Sequence, residues 1–317
     1  MRIATFNVQS MRLRRTGDGP RLDGARDKGD AGDGGEQGED DAALDVIDRR
    51  LTAEVLHAID ADVVALQEVF DRATLDHFHD AVLVPTGCAP YPHRVCLKGN
   101  DGQGLNVALM SRIAPERVRS HATETAAELG FADPPQEVAR GPVFRRDCLE
   151  VHLPGLALFI CHFKAPWPDP ERAARVRRAE AEAVRHLVGR AFPDPAAADW
   201  VVLGDLNAPA RRPGTPRDTS LTPLTEGFAV DVMTRLAPGS GWTFRLPDSE
   251  VHARPDAILL SPALARRHPD AMPVVFRAGM DRTAAEKAGP PFGAVGRPRP
   301  HASDHAAIYI DLDAPGA

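Results

Sequence analysis

Four polar clusters stand at the ends of short apolar, β-like segments, and they constrain the fold more than any other feature of the chain. Buried strands do not need Asp, Glu, Asn or His at their tips. A site that handles phosphate with a hard cation does need them, because carboxylate and amide oxygens are its preferred ligands. We therefore predict that these strand ends serve one site. The clusters are Thr5-Phe6-Asn7, Leu66-Gln67-Glu68, Gly204-Asp205-Leu206-Asn207 and Ser303-Asp304-His305.

The length and composition are those of a soluble globular protein, with 317 residues of which 43% are hydrophobic and 26% charged. We predict a single domain over residues 1–317. No stretch approaches the ~20 apolar residues of a membrane span. The start, Met1 to Asn7, already has the pattern of a strand and not of a signal peptide, so we expect a cytoplasmic protein. The four cysteines lack zinc-type spacing and are expected to be reduced structural thiols.

Nearly all of the excess negative charge lies in one segment rich in Gly and Asp, residues 14–45. The net charge is −7, and the chain from Arg15 to Asp45 carries ten acidic against four basic side chains. With almost no large apolar residues, the segment cannot bury enough surface to offset its ordering entropy. We predict a flexible surface insertion; a lid over the site and a second cation site are the alternatives. The nearly neutral remainder neither favours nor excludes a DNA-facing surface.

Apolar periodicity predicts strands interleaved with helices, which is typical of a layered α/β fold. Helices are predicted over residues 47–59, 74–83 and Pro170–Ala191. Strands are predicted over residues 62–67, 104–110, 145–153, 156–163, 200–203, 256–260 and 306–311. Residues 285–300 are rich in Gly and Pro, which indicates a loop just ahead of Ser303.

Six motifs follow one another along the chain, and their order carries a resemblance. They are Thr5-Phe6-Asn7, Leu66-Gln67-Glu68-Val69, Cys161-His162-Phe163-Lys164, Gly204-Asp205-Leu206-Asn207, Pro255-Asp256-Ala257-Ile258-Leu259 and Ser303-Asp304-His305. This set resembles the endonuclease/exonuclease/phosphatase superfamily, the DNase I-like metallohydrolases, over nearly the whole chain apart from residues 14–45. The resemblance implies an α/β (α+β) fold, a four-layered αββα sandwich of two packed mixed β-sheets flanked by helices.

The resemblance implies a divalent-cation site at neighbouring strand ends. Glu68 would be the main ligand of Mg²⁺ or Mn²⁺, with Asn7 close by and Asp304 as a further ligand of the metal or its shell. One carboxylate and an amide suffice, because Mg²⁺ keeps several waters. Whether one or two ions bind is left open. Taken alone, Glu68 could be a solvated strand-end residue and Asn7 a strand-end cap.

Two pairs are implied as catalytic residues. Asp205 and Asn207 point the same way on an extended segment, because they are two residues apart. By resemblance, Asp205 orients or deprotonates the attacking water and Asn207 contacts the phosphoryl oxygens. Asp256 and His305 resemble the family's Asp–His pair, in which the carboxylate fixes the imidazole tautomer. An Asx turn before Pro209 is a local alternative that is compatible with this function.

His162 occupies a position where some branches of the family carry Tyr. Followed by Phe163-Lys164, it looks more like the DNase I and sphingomyelinase type branches than the abasic-site endonucleases. His162 could protonate the leaving oxygen or bind the phosphate, and Lys164 could add positive charge. A purely structural histidine at a strand end is the alternative.

For several further residues, the sequence gives a weaker indication of a position near the phosphate. Asp101 could orient His162, or belong only to the turn Gly99-Asn100-Asp101-Gly102. Asn106 follows that turn. Arg146 could reach a phosphate or lie on a solvated edge. The basic loop at residues 211–217 could bind extra phosphates or a DNA strand, or be an ordinary surface loop.

The implied reaction is Mg²⁺- or Mn²⁺-dependent hydrolysis of a phosphodiester by in-line attack of water, with nucleic acid among the candidate substrates. A phosphatase or phosphodiesterase for a small molecule or lipid headgroup is the first rival. A non-catalytic binding module on the same fold is the second. Only two tyrosines are present, and Ala257 stands where the family often has an aromatic residue. Both points count against stacking on nucleic-acid bases.

Overall fold

The computed structural model describes residues 1–17, 19–26, 39–209, 218–246 and 249–313. The strands are β1 (Arg2–Met11), β2 (Leu13–Thr16), β3 (Gly19–Leu22), β4 (Val63–Val69), β5 (His93–Cys96), β6 (Asn106–Ser111), β7 (Arg117–Ser120), β8 (Cys148–Leu153), β9 (Leu156–His162), β10 (Trp200–Asp205), β11 (Val230–Asp231), β12 (Phe244–Arg245), β13 (His252–Ala253), β14 (Asp256–Leu260), β15 (Val274–Phe276) and β16 (Ala307–Asp311). The α-helices are α1 (Glu39–Ile59), α2 (Arg72–Phe78), α3 (Pro170–Ala191), α4 (Thr222–Thr225), α5 (Pro262–Arg267) and α6 (Arg282–Ala285).

Two six-stranded mixed sheets form the centre of the protein. Their strand orders are β15-β16-β1-β4-β6-β5 and β11-β14-β10-β9-β8-β7. In each sheet the middle pair is parallel, β1 with β4 and β9 with β10, and the flanking pairs are antiparallel. Parallel strands have their carboxyl ends on the same side. The polar motifs that end these four strands are therefore placed at one edge of each sheet.

The sheets pack face to face and each carries helices on its outer face. Side chains alternate along the strands, as the period of two requires. Ile3 of β1 lies with Leu203 of β10 in the apolar layer between the sheets. The next position, Ala4, faces outward with residues of α1 such as Leu56. In the second sheet, Val202 packs with α3 residues. This is the four-layered αββα sandwich that the resemblance implied, and the fold prediction is confirmed.

The boundaries of the elements agree with the predictions to different degrees. The helix Pro170–Ala191 is confirmed at both ends. The helix predicted from residue 47 begins at Glu39. The strand predicted from residue 145 begins at Cys148, so its first three residues were wrong. The reason is that the Arg146 carbonyl accepts a hydrogen bond from the backbone N–H of Asn100 at 2.9 Å, and Asp147 accepts from the N–H of His121.

The segment at 14–45 has ordered flanks in the described part of the chain. Strands β2 and β3 form a hairpin in which Leu13 lies opposite Leu22. Asp45, on α1, is buried and accepts hydrogen bonds from Arg26 and Arg299. Residue 18 and residues 27–38 lie outside the described residues, as does the basic loop at 211–217. The interpretation of the whole segment as a flexible insertion therefore stays a prediction.

Two further sequence expectations concern membrane spans and cysteines. Among the helices of the described ranges, none combines the length and apolar character that crossing a bilayer needs. Cys88, Cys96, Cys148 and Cys161 are buried free thiols. Cys148 and Cys161 lie opposite each other on β8 and β9, directly beneath the strand end that carries His162.

The backbone conformation at position 204 explains why a glycine precedes Asp205. Its φ is +136°, a conformation that side chains rarely allow. A Cβ there would lie 2.0 Å from the carbonyl oxygen of Cys161 on the neighbouring strand. The close approach of β9 and β10 at this point is thus possible only without a side chain, and it sets the positions of His162 and Asp205.

Replacing Gly204 by alanine should lower the free energy of unfolding by about 3 kcal/mol or more, because backbone strain and steric overlap add. Urea denaturation followed by circular dichroism measures this. Gly189→Ala is the matched control. Gly189 lies within α3, and a methyl group added there would have open space within 4 Å, so alanine should stabilise by up to ~1 kcal/mol. Equal stability of the two variants would contradict the steric argument.

Candidate active site

Asn7 and Glu68 lie side by side on the parallel pair β1 and β4. Asn7 is in register with Gln67, which puts its amide beside Glu68. Asn7 Nδ2 donates to Glu68 Oε1 at 3.3 Å and to Asp205 Oδ2 at 3.0 Å. Asp205 ends β10 in the other sheet. The buried Asn7 amide therefore connects the two sheets at the point where the predicted site residues meet.

Glu68 is held in a backbone conformation that is uncommon for a residue with a side chain. Its φ is +68°, and Gln9 and Ser10 also have positive φ values of +49° and +53°. Ser10 donates to Glu68 Oε2 from its backbone N–H at 2.8 Å and from its hydroxyl at 3.2 Å. These two bonds fix Oε2, and Oε1 faces Asn7 and His162. Strained backbone of this kind is commonly found at functional sites.

Arg49 of α1 holds the bend of β1 that carries Ser10. Its buried guanidinium donates to the carbonyl oxygens of Val8 at 2.5 Å and Gln9 at 2.7 Å, and also to those of Asp23 and Gly24. Burial lowers the pKa of Arg49 to about 10, against the opposing effect of nearby carboxylates, so the group is charged at neutral pH. Sequence reasoning missed Arg49, because nothing local distinguishes it from its exposed neighbour Arg50.

His162 and Asp205 are neighbours across the parallel pair β9 and β10. They lie in register, and His162 Nε2 is 3.5 Å from Asp205 Oδ2. The same nitrogen is 3.9 Å from Glu68 Oε1. Three of the predicted residues thus surround one small polar space. His162 is buried, which places its ring inside the site and not on the surface.

Asn207 lies just beyond Asp205 in the turn that the sequence predicted. Its backbone N–H donates to Asp205 Oδ1 at 2.9 Å, and its φ is +53°. The side-chain Nδ2 donates to the carbonyl oxygen of Phe163 at 3.0 Å. This Asx turn directs the Asp205 carboxylate by occupying one of its oxygens. Contact of the Asn207 amide with a phosphoryl oxygen stays a prediction.

Asp256 and His305 form the pair that the resemblance implied. His305 Nδ1 lies 2.8 Å from Asp256 Oδ2, which also accepts from the Thr243 hydroxyl at 2.5 Å. The carboxylate thereby favours a proton on Nδ1 and turns Nε2 toward Asp205 Oδ2, 3.9 Å away. Phe244 packs against the His305 ring, with 5.1 Å between ring centroids. Thr243 was not expected from the sequence, which has no local signal for this long-range contact.

Burial and neighbouring charges perturb both titratable groups at the centre of the site. Burial raises the pKa of Asp205 to about 6; the charge of His305 opposes this rise and that of Asp256 adds to it. Burial by itself would lower the pKa of His305. The carboxylates of Asp256, Asp304 and Asp205 outweigh it and hold that pKa well above its ordinary value. Perturbed groups gathered in this way are typical of functional sites.

Asp304 is positioned from β1. Its backbone N–H donates to Gln9 Oε1 at 3.1 Å, and Ser303 Oγ donates to its carboxylate at 3.3 Å. The Ser303 hydroxyl is also 2.7 Å from the Asn7 carbonyl oxygen. The terminal Ser-Asp-His motif is therefore fixed to the Asn7 strand. Gln9 is a further residue that sequence reasoning missed.

The weaker candidates take up different positions. Arg146 donates to the Phe163 carbonyl oxygen at 2.7 Å, so it reaches the same carbonyl as Asn207. Asp101 lies 3.5 Å from Arg146 Nε and accepts from the N–H of Gln103 within the turn, which was the alternative to orienting His162; the orienting role stays a prediction. Asn106 has a structural role: its amide oxygen accepts from the N–H of Gly99, and its amide nitrogen donates to the Phe70 carbonyl.

Lys164 lies in the loop that follows His162. Its backbone N–H donates to the buried Glu180 at 2.8 Å, and its ammonium donates to the Trp167 carbonyl. Burial and then the charge of Arg146 lower the pKa of Lys164. Lys164 and Arg146 thus concentrate positive charge beside the Asn207 turn, which suits an anionic ligand.

Two neighbouring sets of side chains offer ligands for a cation. Ligand atoms of Asp205, Asp256 and His305 all lie within 4.8 Å of one another. The predicted set offers carboxylate oxygens from Glu68 and Asp304, whereas Asn7 directs Nδ2 toward Glu68 and its Oδ1 accepts from the N–H of Gln9 at 3.0 Å. Magnesium prefers oxygen to imidazole nitrogen. Because His305 is also engaged by Asp256, the oxygen set fits a hard cation better and leaves the Asp–His pair for the substrate.

The fold and the site define the class of this protein as a phosphoester hydrolase built on a DNase I-like sandwich. The chain belongs to the Endonuclease/Exonuclease/phosphatase family, whose model matches residues 4–305. No curated protein matches the chain.

Solved structures resemble the fold over almost the entire chain. An AP endonuclease from Archaeoglobus fulgidus has 18% identity and a TM-score of 0.58, with 99% of this chain and 100% of that chain covered. The 3′ phosphatase NExo from Neisseria, bound to a product DNA hairpin, has 20% identity and a TM-score of 0.55, with 99% and 100% covered. Truncated TDP2 from Caenorhabditis elegans has 16% identity and a TM-score of 0.52, with 99% and 97% covered.

Replacing Arg49 by glutamine should cost at least ~3 kcal/mol of unfolding free energy, because carbonyl oxygens of the Val8–Ser10 bend lose their buried donors. Thermal and urea denaturation measure this cost. Arg50→Gln is the matched control, since Arg50 is exposed and forms a surface pair with Glu54; it should stay within ~0.5 kcal/mol of the parent. Similar stability for both variants would show that the bend does not depend on Arg49.

Proposed function

We propose that this protein is a Mg²⁺- or Mn²⁺-dependent phosphodiesterase with nuclease activity, which hydrolyses its substrate by in-line attack of water. The observation that carries the proposal is the convergence of side chains from both sheets. Asn7 joins Glu68 to Asp205, and His162 Nε2 lies between the same two carboxylates. Asp256 and His305 complete the cluster, with His305 Nε2 3.9 Å from Asp205 Oδ2.

The residues around Glu68 fit a hard cation. Ser10 fixes Glu68 Oε2 and leaves Oε1 facing the polar space, and the half-buried Asp304 is fixed near the same strand. Glu68 would hold the ion, with Asn7 and Asp304 as neighbours in its shell. A bound Mg²⁺ supplies Lewis-acid stabilisation of charge that develops on the phosphoryl and leaving oxygens. Few protein ligands are needed, because Mg²⁺ retains water.

The other side chains bind and orient the reactants. Asp205 has one oxygen fixed by the Asn207 turn, and its second oxygen, shared with Asn7, orients the attacking water. His305 is held by Asp256 with Nε2 toward Asp205, where it binds the phosphate. His162, whose Nε2 is 3.5 Å from the same Asp205 oxygen, either donates a proton to the leaving oxygen or binds the phosphate. Lys164 adds positive charge to this phosphate cradle.

A nucleic-acid diester is the favoured substrate class. The NExo structure contains a product DNA hairpin, and the Archaeoglobus fulgidus protein is an AP endonuclease. Both share the fold of this chain across its length, and Lys164 and Arg146 place positive charge beside the site. A non-catalytic binding module would have no need of Glu68, Asp205 and the Asp256–His305 pair.

Glu68→Gln should reduce turnover of bis-p-nitrophenyl phosphate in Mg²⁺ by at least ~100-fold, because the substitution removes the carboxylate charge that holds the cation. Chelation of divalent ions should abolish the activity of the parent, and added Mn²⁺ or Mg²⁺ should restore it. Isothermal titration calorimetry with Mn²⁺ gives a readout independent of turnover and should register weaker binding. Glu54→Gln, on the surface of α1, is the control and should behave like the parent.

His305→Ala should lower turnover of the same diester by at least ~100-fold while Mn²⁺ binding persists, because His305 binds the phosphate and not the cation. Full metal-dependent activity in this variant would contradict the role given to the Asp256–His305 pair. Absence of turnover in the parent with every divalent cation, and with oligonucleotides as well, would favour the binding-module alternative.

A further inference from the structure

Trp167 is an exposed aromatic side chain in the loop that follows His162. It is 75% exposed, whereas Trp200 is fully buried and Trp242 packs against Arg277. Within the described ranges no ring or cation contact involves Trp167. A tryptophan exposed to water does not contribute the large favourable free energy that burial of its ring would give. The fold itself gives no reason for this placement.

The loop that carries Trp167 is firmly held at its base. The fully buried Glu180 of α3 accepts from the N–H of Lys164 at 2.8 Å, and the buried Arg177 donates to the Lys164 carbonyl at 3.1 Å. Lys164 Nζ donates to the Trp167 carbonyl at 2.5 Å. Pro166 and Pro168 flank the tryptophan and restrict the backbone on both sides. The ring is thus presented to solvent by a rigid segment.

The same loop begins at the candidate active site. The carbonyl of Phe163, its first residue, accepts hydrogen bonds from Asn207 and from Arg146. Trp167 is five positions after His162, so their Cα atoms are at most ~18 Å apart. That distance is the length of a few nucleotides. Lys164 and Arg146 both bond to backbone carbonyls of this loop, those of Trp167 and Phe163, and so place positive charge on it.

We propose that Trp167 is a specificity-determining residue that stacks on an unpaired nucleobase close to the scissile phosphate, while Lys164 and Arg146 attract the adjoining phosphates. Exposed aromatic rings combined with basic side chains are how proteins bind single-stranded nucleic acid. A base inside a duplex has both faces covered by its neighbours, so the ring selects a strand end or a single strand. This inference rests on the proposed diesterase function and names its substrate class.

A lipid surface is less compatible with this region. Membrane docking needs a contiguous apolar area. Between residues 160 and 175, Trp167 is the only exposed large hydrophobic side chain, and the positions around it include Lys164, Asp169, Glu171 and Arg172. Stacking on a base requires one ring and nearby positive charge, which is what this loop provides.

The test compares two substrates of equal charge, a short oligothymidylate and the same backbone with every base removed. The measured quantity is the ratio of kcat/KM for the two substrates in Mg²⁺. The parent should prefer the base-bearing strand, and Trp167→Ala should reduce that preference about tenfold or more. Trp167→Phe should retain most of it, because an aromatic face remains. Met272→Ala, at another exposed apolar residue, should keep the parental ratio.

Binding provides a readout that does not depend on turnover. Oligothymidylate should quench the tryptophan fluorescence of the parent, and this quenching should be lost in Trp167→Phe. An unchanged substrate ratio in Trp167→Ala, or quenching that persists in Trp167→Phe, would overturn the proposal. So would binding to vesicles of phosphatidylcholine and phosphatidylserine that is lost in Trp167→Ala. Failure of the diesterase function itself is recognised separately, by the absence of metal-dependent turnover of bis-p-nitrophenyl phosphate in the parent.

Discussion

A single buried amide, that of Asn7, holds the two halves of the site together. It donates to Glu68 in its own sheet and to Asp205 in the facing sheet. The hydrogen bond between His305 and Asp256 makes a second link between the sheets, since His305 leads into β16 and Asp256 begins β14. The site therefore lies where the two sheets of the sandwich meet. Its geometry depends on how the sheets pack, which the apolar layer between them determines.

This arrangement brings acidic groups close together, and the protein offsets their repulsion with specific donors. Ser10 donates twice to Glu68, Thr243 and His305 donate to Asp256, and Asn7 and the Asn207 N–H donate to Asp205. Such donors stabilise carboxylates that burial would otherwise neutralise. Burial nevertheless raises the pKa of Asp205, so its donors do not fully offset the loss of water. A centre with concentrated negative charge and incomplete compensation is suited to a cation.

Apolar runs of strand length and the amphipathic pattern of α3 are local signals, and they predicted a layered α/β fold. The four-layered sandwich was implied by the resemblance that the ordered motifs at the strand ends carry. The contacts that position the site are not local. Arg49 acts on carbonyl oxygens of β1, and Thr243 acts on Asp256 through tertiary packing. Asn106, which the sequence placed only after a turn, bonds through its amide to the backbone of Gly99 in that turn and to the backbone of Phe70. Residue type and spacing cannot distinguish these outcomes, because they depend on which chain segments meet.

The contacts of Arg49 and Arg299 also bear on how this fold accommodates change. Arg49 fixes Asp23 and Gly24 at the end of the β2–β3 hairpin, and Arg299 fixes Asp45 and Asp48 on α1. The N–H of Ala25 donates to Asp48, so the two ends of the intervening segment are joined by their own contacts. Because these contacts join the hairpin directly to α1, a change in the number of residues between positions 27 and 38 should leave the bend beside Glu68 in place.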